Sequence, residues 1–251
     1  PGWLAGLPIA VKDYNDLAGT PTTYGSPIFK DNVAARSDLT VANLERRGAI
    51  PLAKSNVPGV AGANTFNTVF GATRNPWNTS LTVGGSSGGS AAALAAGMVW
   101  LATGNDLGGS LRIPASYCGI VGMRPSVGRV PRPQSIAPYD PLWVEGPMGR
   151  CVADVALMLD AQAYQDFRDP LSFAPPTAPY VEAVRNPRAP KRVGFSANLG
   201  IGRVDAEVAQ ICEAAAQRFG EFGARVDDDC PDFTGAFEAF QTLRANLVAA
   251  V

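Results

Sequence analysis

Gly84-Gly85-Ser86-Ser87-Gly88-Gly89-Ser90-Ala91-Ala92-Ala93 is the stretch on which the reading of this chain turns. Glycines and serines give way to alanines, so a tight turn feeds a helix, expected from Ser87 through Gly97. Its small side chains imply close packing against other backbone. Working outward, Leu7-Pro8-Ile9-Ala10-Val11-Lys12 reads as a buried strand and Val99-Trp100-Leu101-Ala102-Thr103 as another. Asp38 to Arg47 has helical spacing, with Leu39, Val41 and Leu44 on one side, and Gly48 to Lys54 reads as turn plus strand. This alternation of helix and strand predicts α/β layering.

Residues 61–83 are rich in Asn, Thr, Gly and Pro without a clear period and read as a long loop. Residues 123–147 are rich in Pro, Arg and Gly, with little regular structure expected. Asp154 to Ala161 reads as helix, and a proline-rich linker follows from Pro170 to Pro190. Beyond it come a strand at Arg192-Val193-Gly194-Phe195, an amphipathic helix from Asp205 to Phe222 capped by Asp205, and a strand at Ala224-Arg225-Val226. The expected organisation is one partial domain over 1–251, with a motif core over 1–160, a connection over 161–190 and an extension over 191–251. The chain starts at Pro1 rather than Met and ends at Val251 inside what reads as an unfinished helix, so it is expected to be a fragment lacking both ends.

Apolar residues make up 46% of the chain and charged residues 17%, ample for a sizeable core and low for a disordered segment. The net charge of −1 gives no electrostatic support for direct nucleic acid binding. No apolar run reaches the roughly 18 residues of a membrane span, and no signal peptide is visible. Cys118, Cys151, Cys212 and Cys230 are scattered, which fits a reducing compartment such as the cytoplasm. With no CxxC pair and no histidine, no metal site is expected.

The absence of histidine shapes the chemistry. Gly84-Gly85-Ser86-Ser87-Gly88 matches a nucleophile elbow on paper, but the base that elbow uses is missing from this chain. A phosphate loop lacks its lysine after the last glycine. A bland turn into a packed helix is the remaining reading of that stretch. Asp106-Leu107-Gly108-Gly109-Ser110-Leu111-Arg112 offers successive backbone amides before a serine, a concavity suited to the oxyanion of acyl transfer or to a plain tight turn. A serine hydroxyl needs a base. Lys12, ending an apolar run, is the candidate: burial disfavours its ammonium form, and lowering its pKa to about 7 would cost roughly 4.6 kcal/mol. Ser86 between Lys12 and Ser110 could pass a proton either way, because a hydroxyl donates and accepts at once.

Taken together, these motifs are recognisable. The block Gly84 to Ala93, the step from Ser86 to Ser110, and Gly108-Gly109-Ser110-Leu111-Arg112-Ile113-Pro114-Ala115 strongly resemble the amidase signature family. Gly6 to Asp13 looks like that family's lysine segment; Lys54-Ser55-Asn56, Phe70 to Asn78, Cys118-Gly119 and Glu145-Gly146-Pro147-Met148 are similar to further blocks. The resemblance runs from about Gly6 to about Asp160. It implies an α/β fold, a mixed β-sheet core flanked by α-helices, and hydrolysis of a small-molecule carboxamide through an acyl-enzyme. The implied nucleophile is Ser110, the bridging residue Ser86 in a cis peptide, and the base Lys12. The backbone of Leu107, Gly108 and Gly109 is the implied oxyanion hole, with Asp106, Arg112 and Ser87 in support. No cofactor and no membrane partner are implied, and a homo-oligomer is compatible with the sequence. The same triad serves the glutaminase component of a tRNA-dependent amidotransferase. Val83 stands where the family commonly has Pro and Asn105 where it usually has Thr; both read as lying beside the triad rather than in it.

Overall fold

Pro8–Lys12 forms β1, buried along its length apart from its first residue. α1 (Leu39–Arg46) and β2 (Ile50–Ser55) follow, then a short hairpin of β3 (Phe66–Asn67) and β4 (Gly71–Ala72). Next come α2 (Gly88–Ala95), β5 (Leu101–Asp106), α3 (Arg112–Cys118), β6 (Val121–Gly122), β7 (Val144–Gly149) and α4 (Val152–Gln162). α5 (Tyr180–Arg185), β8 (Arg192–Phe195), α6 (Ala206–Gln217), β9 (Arg225–Asp228) and α7 (Ala236–Ala250) complete the order. The computed structural model describes residues 2–59, 62–133 and 135–250.

Five strands make one sheet in the order β2-β1-β5-β7-β6. β1 runs parallel to both β2 and β5, whereas β7 runs antiparallel to β5 and β6, so the sheet is mixed, as expected. Side chains alternate across a strand. Ile9 and Val11 therefore enter one core with Val41, Leu44, Leu101 and Met158. Ala10 enters the opposite core with Ala91, Leu94, Ala102, Leu111 and Met148. Lys12, two residues beyond Ala10, continues toward the second face, where α2 packs.

The small residues of α2 have the expected purpose. A Cβ on Gly88 would fall on the Thr65 hydroxyl, and one on Gly89 would fall on the Asn56 backbone. The Gly89 amide donates to the Asn56 carbonyl at 3.2 Å, a distance only a bare helix face allows.

Several elements depart from the sequence expectation. The expected strand over 99–103 is displaced: β5 begins at Leu101 and continues to Asp106, because β7 pairs with it residue by residue up to Asp106↔Val144. The stretch 123–147 ends inside β7, a central strand; Pro147, which has no N–H to give a ladder, reads against such a strand in sequence. The proline-rich linker contains α5, whose Tyr180 and Val181 amides donate to the Asp160 carboxylate at 2.7 and 3.1 Å.

The chain divides into two compact units, residues 1–184 and 185–251. The second contains the parallel pair β8–β9 together with α6 and α7. Asp205 caps α6 by accepting from the Glu207 amide at 2.9 Å. Among the described residues no helix is long and apolar enough to cross a membrane.

Candidate active site

Parallel pairing brings the carboxyl ends of β1 and β5 to one side of the sheet. β1 ends on Lys12 and β5 on Asn105-Asp106. The turn into α2 supplies Ser86 and Ser87 to the same place, and the Gly85–Ser86 peptide is cis, as the resemblance implied. The Lys12 backbone amide is held by the Thr103 hydroxyl at 2.8 Å. Its side chain is completely buried. There Nζ lies 2.7 Å from Ser86 Oγ, 2.8 Å from Ser87 Oγ and 2.6 Å from Asn105 Oδ1. The Tyr14 ring centroid lies 4.9 Å from the same nitrogen.

Burial lowers the Lys12 pKa to about 7, with Glu145 and Asp106 opposing the shift. Glu145 sits on β7 directly across from Asn105. Burial pushes its carboxyl up, against the pull of Arg132, the Trp143 indole N–H at 3.0 Å and Lys12. The centre of this site is thus a nearly dry amine poised around neutrality, which is where a general base is effective.

The second glycine loop is organised by Asp106. Its buried carboxylate accepts from the Gly109 and Leu111 amides at 2.8 and 3.1 Å and from Arg112 Nε and Nη2, each at 3.0 Å. Arg124 adds contacts to the Asp106 carbonyl and carboxylate. Burial alone would raise this carboxyl, but the Arg112, Gly109 and Leu111 hydrogen bonds hold it below its ordinary value. Asp106 and Arg112 therefore brace the loop. The Gly109 N–H is engaged by Asp106, whereas among the described residues no hydrogen bond involves the Leu107 or Gly108 N–H.

Ser110 is half-buried and follows directly. The Ser87 amide donates to its carbonyl at 3.3 Å, stitching the two loops together. Lys12 and Ser86 are thus in direct contact, whereas among the described residues no hydrogen bond joins the Ser86 and Ser110 hydroxyls. Sequence reasoning set Asn105 beside the triad; here it touches the lysine. It also did not identify Arg124 or Tyr14. The signal for Asn105 is the end of a strand parallel to the lysine strand, obscured because the expected strand stops at Thr103, three residues before β5 ends at Asp106.

The sequence matches the family described as Amidase over residues 1–247. It is 40% identical over 240 residues to an acylamidase of Rhodococcus erythropolis, covering 95% of this chain and 50% of that protein. It is 38% identical over 226 residues to the A-type component of the glutamyl-tRNA(Gln) amidotransferase of a Marinomonas species, covering 90% of this chain and 46% of that protein. A solved bacterial aryl acylamidase of the amidase signature enzymes has the same fold, with a TM-score of 0.87 at 33% identity over 98% of this chain and 53% of its own. The chain spans about half the length of the curated relatives it matches.

Proposed function

The chain belongs to the amidase signature family, and from that premise we propose that it carries the catalytic centre of a hydrolase that cleaves the C–N bond of a carboxamide. Ser110 attacks the carbonyl carbon. Its hydroxyl proton passes to Ser86 Oγ as the Ser86 proton passes to Lys12 Nζ. The oxyanion is held by the Leu107 and Gly108 amides, each such donor contributing about 3 kcal/mol. Gly109 serves by shape, since its amide holds the loop to Asp106. The C–N bond then breaks, and the Lys12 proton returns through Ser86 to the departing amine. Water, activated by the same relay, releases the acid from Ser110. Every proton in this cycle moves between side chains, substrate and water.

The observation that carries this reading is the buried Lys12 amine, with pKa lowered to about 7 and Ser86 Oγ at 2.7 Å. The Ser86–Ser110 hydrogen bond is expected to close with substrate in place, as catalytic hydrogen bonds do. A small or aryl carboxamide is the favoured substrate. The Tyr14, Tyr24 and Trp143 rings, with neighbouring centroids 6.5 and 6.3 Å apart, support an aromatic group beside the lysine. A hydrolysis screen over aliphatic, aryl and amino-acid amides tests this, with the Ser110→Ala variant inactive on every substrate found. Full activity in that variant ends the nucleophile assignment.

The match to the glutamyl-tRNA(Gln) amidotransferase component favours a second reading, a glutaminase that releases ammonia for a partner. Glutaminase activity that appears only on adding partner proteins would select it. The domain reading proposed is one partial amidase domain, with its motif core over 1–160.

A further inference from the structure

We propose that Asn105 is a positioning residue: its amide oxygen takes one Lys12 N–H and thereby leaves the amine lone pair facing Ser86. This deepens the relay reading above and rests on it.

A neutral lysine amine has two N–H donors and one lone pair, and three oxygens surround Lys12 Nζ at 2.6 to 2.8 Å. Asn105 Oδ1 has no hydrogen, so it must accept one N–H. The Ser87 hydroxyl donates to the Asn105 backbone carbonyl at 3.3 Å, so toward Lys12 it is an acceptor and takes the second N–H. The only direction left for the lone pair is toward Ser86 Oγ, which must then give its hydroxyl proton to nitrogen. That is the bond along which the relay moves charge. A hydroxyl in place of the Asn105 amide could donate to the lone pair and would not force this outcome.

A second observation supports it. Asn105 is 3% exposed, yet among the described residues its Nδ2 has no hydrogen-bond partner. Buried amides are normally satisfied. The side chain therefore makes its one hydrogen bond through the oxygen, to the lysine. The Lys12 backbone is held separately by Thr103, so Asn105 acts on the head of the side chain and not on the strand. The charged groups acting on the amine are Glu145 from β7 and Asp106 from β5; Tyr14 presents a ring, and the turn into α2 presents only hydroxyls.

The test compares Asn105→Leu and Asn105→Asp with the parent protein by two readouts. The first is a lysine 13Cε NMR titration. The chain has only Lys12, Lys30, Lys54 and Lys191, so the Lys12 resonance is assigned with a Lys12→Met variant. The second is the pH profile of kcat and kcat/KM. Asn105→Leu should lower the Lys12 midpoint by half a unit or more, because the ammonium loses an acceptor. At pH values above the midpoint its kcat should fall about tenfold with KM within about twofold. Asn105→Asp, nearly the same shape, should raise the midpoint by about a unit or more, and the acid limb of kcat/KM should move with it.

Unmoved midpoints in both variants, or undiminished kcat in Asn105→Leu above the midpoint, overturn the proposal. A raised midpoint with faster turnover in Asn105→Leu also overturns it, because the amide nitrogen would then have been holding the lone pair. If the parent protein hydrolyses no carboxamide, the hydrolase reading falls, and the NMR titration alone decides whether Asn105 pairs with the lysine as stated.

Discussion

Replacing Lys12 with Met separates what a buried amine does for chemistry from what it does to stability. The side chain is fully buried, and burial takes its pKa from 10.5 to about 7. Between those two values the unfolded chain binds one more proton than the folded chain. The handicap to folding is absent above 10.5, grows as the pH falls, and is complete below about 7. At pH 7 it amounts to about 4 kcal/mol. Methionine removes the titration but also strips three hydrogen bonds, to Ser86, Ser87 and Asn105. Each is worth about 1 kcal/mol. The balance is a variant about 1 kcal/mol more stable than the parent at pH 7, a rise in Tm of roughly 2–4 °C, with turnover abolished. Urea unfolding of both proteins at about pH 7, 8 and 9 reads the difference directly. It should shrink by about 1 kcal/mol per pH unit and change sign a little above pH 8. A difference that stays constant over this range would mean that Lys12 carries the same charge folded and unfolded, and the argument for a neutral base would be refuted.

The pH profile of kcat/KM should rise through an acid limb near 7, since the amine must be deprotonated to accept a proton; a profile flat from about pH 5 to 9 would contradict the base assignment. A fluorophosphonate should label Ser110, located by peptide mass spectrometry, and label on Ser87 or Ser90 instead would contradict the relay order. Asp106→Ala leaves Arg112 and Arg124 without their buried carboxylate and frees the Gly109 and Leu111 amides. It should destabilise the protein by about 3 kcal/mol or more in urea unfolding, and a loss under about 1 kcal/mol would show that the loop stands without it. Gly89→Ala places a methyl on the Asn56 backbone. It should cost about 1–3 kcal/mol, and an unchanged Tm would show that α2 moves aside freely.

Much of the fold was legible because its local signals agree. The apolar run ending at Lys12, the small-residue helix after Ser87 and the Asp205 cap each follow from local chemistry, and each has its counterpart in β1, α2 and α6. β7 was not legible. Gly146 and Pro147 weaken a strand on propensity, and only the ladder with β5, from Leu101↔Gly149 to Asp106↔Val144, holds them extended. The same ladder carries β5 to Asp106 and so delivers Asn105 to the lysine, a contact that strand propensity alone did not reveal.

From the sequence alone came the chemistry on offer: no histidine, two glycine-serine loops, one lysine at the end of an apolar run, and an α/β alternation to carry them. The tertiary structure decided what that lysine is. Its lowered pKa arises from burial among groups far away in the chain, with Ser86 74 positions and Asn105 93 positions along. Desolvation and hydrogen-bond direction belong to a neighbourhood assembled by folding, and no run of consecutive residues contains that neighbourhood.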